Sequence, residues 1–212
     1  MSQPSSELGT PPPVASGSQI ASTAMSLGQS LCIGGIGFAL VSTVVFATVA
    51  FGERWLYGHL GVALTYVFWT LLFVFGGGAV AARLNRSFRS SASSYATFAL
   101  AFFLYAAGWT AAYFALKFGL RELLGVIAGT VLMSLTFAWA AAAKRNFAGI
   151  FLVLLLTNTA GYFAGRYLWR AFGGHAGMIA WGVLFGLGLG FGLGYVFYAC
   201  RTPARAKPAP ST

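Results

Sequence analysis

Six stretches of this chain run for roughly twenty residues or more without a single Asp, Glu, Lys, Arg or His. They cover 30–51, 60–82, 95–116, 123–143, 147–165 and 176–199. A helix of about 20 mostly apolar residues crosses the roughly 30 Å hydrocarbon core of a bilayer. Helices are the expected form, because each one satisfies its own backbone hydrogen bonds in lipid. Strands of a membrane barrel would show about 10 alternating residues, and these runs do not alternate. The last stretch is rich in glycine (GLGLGFGLG), but its length favours a helix. The expected fold is therefore all-α, with six transmembrane helices and short connections. Only 8% of residues are charged, against about 25% in ordinary soluble domains.

The flanks read differently. Residues 1–27 are rich in Ser, Pro, Gly, Ala and Thr and hold no Lys or Arg. That composition predicts a disordered tail, not a secretory leader with a basic start. Residues 28–200 form the expected transmembrane domain, and 201–212 a short basic tail.

Thirteen Lys and Arg face three acids, giving a net charge of +10. The cations lie between apolar stretches or on the C-terminal tail, which points to topology and lipid headgroups, with no nucleic-acid partner. One side would carry Arg83, Arg86, Arg89, Lys144, Arg145, Arg201, Arg205 and Lys207. The other would carry Arg54, Lys117, Arg121, Arg166 and Arg170. The richer side is expected in the cytoplasm, which places both termini there and the chain in the cell membrane. Cys32 and Cys200 fall at the same predicted depth on that side, where a disulfide is disfavoured.

A phrase recurs. TAAYFALKFGLRELLG at 110–125 returns as TAGYFAGRYLWRAFGG at 159–174. With a weaker echo in the first span pair, this suggests three repeated helical hairpins, an arrangement found in transporters and also in structural bundles. Each copy carries two cations four residues apart, Lys117 with Arg121 and Arg166 with Arg170. Within one helix such a pair shares a face. The four form a candidate anion or headgroup site, or they snorkel to the interface beside Tyr167 and Trp169. Glu122 beside Arg121, and Glu53 beside Arg54, would neutralise part of that charge.

Reaction chemistry is sparse. The chain has no Asp, and the spans hold no titratable interior residue of the kind that marks proton paths. His59 and His175 are the two histidines, both at span ends, and no Cys/His cluster has metal-ligand spacing. The expectation is a protein that is not an enzyme and has no metal. The polar signal inside a span is Thr157-Asn158-Thr159. Asn158 is expected to bond a neighbouring helix or a ligand. With Trp109, Tyr113 and Tyr162 it could wall an outward-opening apolar pocket for a ligand. Trp69 and Trp139 also read as deep, while Trp55, Trp169 and Trp181 read as an interfacial belt. Gly182, Gly186, Gly190 and Gly194 recur at spacing four, with Gly188 and Gly192 on an adjacent stripe. They predict close helix packing within the chain, against another subunit, or against a flat ligand.

Six spans, cytoplasmic termini and the small pair Gly35 and Ala39 in the first helix resemble, in architecture alone, the substrate-binding subunits of energy-coupling vitamin transporters. No motif carries those proteins' residues over. The reading from the residues is a non-catalytic membrane subunit or accessory protein. It would pack against other membrane subunits or itself, contact membrane lipids, and hold lipid, quinone or pigment with no required cofactor. The competing reading is a small-solute transport component built on the aromatic and Asn158 pocket.

Overall fold

The computed structural model describes residues 25–84, 91–116, 120–141 and 146–201. These residues form five α-helices: α1 (Leu27–Leu84), α2 (Ser91–Ala115), α3 (Arg121–Ala140), α4 (Phe147–Phe172) and α5 (Gly174–Arg201). All five are long and apolar enough to cross a membrane. The expected tails lie outside the described residues, apart from Met25, Ser26, Leu27 and Arg201. So do Arg86, Arg89, Lys144, Arg145, Arg205 and Lys207.

Five helices stand where six were expected, because the first two apolar stretches share one element. The 58 residues of α1 would measure about 87 Å if straight, nearly three bilayer cores. They are not straight. Gly61 alone leaves helical geometry, with φ 72° and ψ 169°, a region open essentially to glycine. The chain doubles back there. Phe38 and Phe73, 35 positions apart, bring their ring centroids to 6.3 Å. A side chain on Gly37 would meet Val80, and one on Gly76 would meet Val41. A first limb (27–60) and a second limb (62–84) therefore pack antiparallel without an intervening loop.

Local signals explain the other ends. Ser26 and Gln29 form a reciprocal capping box: the Gln29 N–H donates to Ser26 Oγ at 3.2 Å, and the Ser26 N–H to Gln29 Oε1 at 3.0 Å. Between α4 and α5 the reversal takes Gly173 and Gly174, both at positive φ. The Gly173 N–H closes the last turn of α4 by donating to the Trp169 carbonyl at 2.8 Å.

The helix α5 is the centre of the bundle, and its glycines face two ways. Gly186, Gly190 and Gly194 lie on the backbone of the first limb at Ala39, Gly34 and Ser30. Gly182 meets the Phe46 side chain of the same limb. Gly188 and Gly192 face α4, against Gly161 and Thr157. A methyl on Gly190 would overlap the Gly34 carbonyl. The spacing-four stripe is thus consumed inside the chain. Ser30 locks the same seam, its hydroxyl donating to the Gly194 carbonyl at 2.8 Å.

A second unit pairs α2 with α3, through Gly108, Gly125 and Gly129. It joins the second limb of α1 toward the end of the bundle that carries the described termini. There Gly77 and Gly78 admit the rings of Phe98 and Tyr95, and Phe73 stacks on Phe102 at 4.4 Å. Phe38 and Phe98 are fully buried in this core. Outside it, Phe51, Phe75, Phe114 and Leu156 are each more than 60% exposed. Water would penalise such a surface, whereas lipid is its natural solvent.

Gly61→Ala places a methyl where only glycine is comfortable, and should cost about 1–3 kcal/mol. Gly58 also has open space around it but is helical, so Gly58→Ala should be neutral or mildly stabilising. Thermal unfolding of both variants in one detergent measures the contrast. Equal midpoints would remove the special role of Gly61.

Candidate functional site: an aromatic chamber between two helix groups

The two helix groups, α1 with α4 and α5 on one side and α2 with α3 on the other, part in the half of the bundle nearer Gly61. A cavity of about 270 Å³ lies between them. Both limbs of α1 contribute, through Phe46 and Tyr66. From α2 come Phe102, Tyr105, Ala106, Trp109 and Thr110. Tyr162 closes the α4 side, and Trp181 and Phe185 the α5 side. Eight of these ten residues are aromatic, and none is charged.

Helical spacing explains the concentration. Phe102, Tyr105 and Trp109 lie three and four apart on α2, and Trp181 and Phe185 four apart on α5, so each set shares one face. Trp181 is the hub of the far wall. It stacks on Trp169 at 5.4 Å and meets Phe46 edge-on at 5.5 Å and Tyr162 at 5.7 Å. Gly165 makes room for it on α4. Trp109 is backed by Tyr113, whose ring is parallel at 4.8 Å, and by Gly125 of α3. The indole N–H groups of Trp109 and Trp181 are buried without a hydrogen-bond partner among the described residues.

Of the four residues expected to form the pocket, Trp109 and Tyr162 line the chamber. Tyr113 stands behind Trp109. Asn158 is off the wall, buried at 1% exposure, and binds helices together. Its Nδ2 donates to the Tyr105 hydroxyl at 3.0 Å and to Thr130 Oγ1 at 3.4 Å. One amide on α4 thereby ties down both α2 and α3. Its Oδ1 has no partner among the described residues.

The expected cation site divides. Lys117 lies outside the described residues. The first copy of the recurring phrase leaves helix at Ala115, and Arg121 opens α3, while the second copy stays helical through Phe172. Arg166 and Arg170 thus share a face, whereas Arg121 has no such partner on its helix. Helix propensity does not explain the difference, since the second copy holds Gly161 and Gly165 where the first has Ala112 and Leu116. The Arg121 guanidinium lies over the Tyr113 ring at 4.4 Å, a cation–π contact. Glu122 does not pair with its neighbour Arg121. It forms an ion pair with Arg166, joining α3 to α4.

Several chamber residues escaped the sequence reading. Trp181 was expected in an interfacial belt but is a wall. Trp139 was expected deep, yet it stands one residue from the end of α3 with 71% exposure. Phe46, Tyr66, Phe102, Tyr105 and Phe185 carried no distinct signal beyond their spacing.

Among the described residues, no group of His, Cys, Asp and Glu could hold a metal ion. Cys32 and Cys200 are free thiols. No family model matches the chain, and neither a curated protein nor a solved structure matches it. The architectural resemblance to vitamin-transporter subunits thus has no matching structure behind it.

Removing either end of the buried tie should loosen the two helix groups. Asn158→Ala and Tyr105→Phe should each cost about 1 kcal/mol of stability. The double variant should cost clearly less than their sum, because both delete one hydrogen bond. Chemical unfolding in mixed micelles gives the four values of the cycle. Strict additivity would mean that the 3.0 Å contact carries no energy.

Proposed function

We propose that this chain is a non-catalytic, multi-pass protein of the cell membrane that crosses the bilayer six times and holds an uncharged apolar molecule between its helices. The chamber carries the proposal. A space of about 270 Å³ walled by eight aromatic side chains is close to the size and lining of small-molecule sites. Aromatic faces offer large apolar contact to a flat or unsaturated ligand, such as a lipid chain, a quinone or a pigment. The six-crossing reading draws on the break at Gly61 and the antiparallel packing of the two limbs of α1. Three hairpins and cytoplasmic termini remain part of the same proposal, drawn from the recurring phrase and the placement of cations.

An accessory role in a larger membrane complex follows from the sparse reaction chemistry of the sequence. The glycine stripe is satisfied internally, so a partner subunit would meet the lipid-facing aromatic and aliphatic surface instead. The competing reading, a small-solute transport component, draws on Trp109 and Tyr162. It is weakened by Asn158, whose amide is engaged by Tyr105 and Thr130.

The test is gentle extraction at native expression, then native mass spectrometry and an absorption spectrum. The wild-type particle should carry an apolar molecule near one per chain. The Trp109→Ala/Trp181→Ala double variant should lose it by about tenfold or more. A single polar solute would favour the transport reading, and a ligand-free wild type at every extraction would remove the chamber as a binding site.

A further inference from the structure

We infer that the chamber is filled sideways from the bilayer, through a cleft between the second limb of α1 and α2, by an uncharged molecule with a flat unsaturated head and an apolar tail. The inference rests on the ligand-holding reading above and adds its route and its ligand class. Its geometric basis is the splay of two helices. Near the end bearing the termini, Phe73 stacks on Phe102 and the second limb is closed against α2. Nearer Gly61 the same helices separate, and a groove of about 600 Å³ opens between them. Val67, Leu71 and Phe103 line it and are 51%, 48% and 61% exposed. Tyr66, Ala106 and Thr110 line both groove and chamber. The two spaces therefore share a boundary of one tyrosine and two small residues.

Size and charge select the occupant. The chamber's volume of about 270 Å³ is on the scale of a small-molecule site, and the stack of Phe73 on Phe102 closes it at one end, so a through-running helix of a second copy does not fit it. Neither space is lined by a charged residue, and an unpaired ion there would go unsolvated. Aromatic faces attract cations, but the charge at this end of the bundle opposes one. Arg170 and Arg121 lie near enough to Arg166 to repel a further cation there, and the carboxylate of Glu122 is already paired by Arg166. A neutral flat head matches the chamber walls, and a tail matches the open apolar groove.

The probe is a decyl-substituted benzoquinone with a diazirine on its tail, photolysed with the full chain in phosphatidylcholine vesicles. Adducts are mapped by mass spectrometry with and without excess unlabelled quinone. Competed adducts on residues 66–71 and 103–111 are expected. Ala107→Trp and Ala111→Trp, each plugging the groove, should reduce them roughly tenfold. Both alanines face outward, so the added indole displaces lipid and leaves the core intact. Unchanged size-exclusion elution verifies this. Competed adducts at Phe102, Tyr105 or Trp181 that persist in both plugged variants would overturn the sideways route and leave the ligand reading standing. Wild-type adducts that excess quinone does not displace would overturn the flat-headed ligand class and leave the ligand-holding reading standing, since ordinary acyl chains would then be the occupants. Wild-type adducts at neither the groove nor the chamber would overturn both.

Discussion

Backbone-to-backbone contact along α5 is the constraint from which the rest of the bundle follows. Glycines on two of its faces let α1 and α4 approach more closely than any side chain permits. Lipid offers no hydrophobic drive for helices to associate, so contact area at short range must supply the attraction. Three helices drawn this close have no room for large residues along their shared seams. The bulk is displaced to the faces between seams, where Phe38, Phe73, Phe98 and Phe102 form the solid half of the core. The open half, toward Gly61, keeps its aromatics around a space instead of filling it.

That space persists because the second helix group is held at a fixed distance. Two polar ties reach it from α4, Asn158 to Tyr105 and Thr130, and Arg166 to Glu122. The first is buried in a region of low dielectric, where an unmade polar contact is expensive, and the second is partly exposed. They behave as struts that hold α2 and α3 in register with α4. Without them the aromatic walls could slide until ring met ring, and the cavity would collapse.

The helical class was legible in the sequence because charge-free runs of this length have few other fates. The helix count was not, since the polar stretch at 52–59, with Glu53, Arg54 and His59, reads as a loop between two spans, whereas the helix runs on through it and breaks at Gly61. Gly61 is flanked by Leu60 and Val62 and looks like any glycine in a membrane helix. The chamber was half legible. Tyr162 stood out through the recurring phrase and Trp109 through its depth in a span, whereas Trp181 looked interfacial because it lies near the start of its span. Periodicity shows that Trp181 and Phe185 share a face, but which helix that face meets depends on the glycine stripe of the same helix. Asn158 was legible as a polar residue needing a partner. That its partner would be Tyr105, 53 positions earlier, required the fold.

The Gly190 seam has a consequence for how such a chain drifts over generations. A third-base change in a glycine codon still encodes glycine, but every first- or second-base change either ends translation or encodes a residue with a β-carbon. At Gly190 that atom would overlap the Gly34 carbonyl, so the position tolerates only synonymous changes. Phe191, one step along the helix and 39% exposed, covers Gly35 with its ring, a contact other apolar side chains can also make. A collection of descendants would therefore preserve α5 as a glycine comb while the teeth between the glycines change, and similarity measured by overall identity would fade long before the packing did.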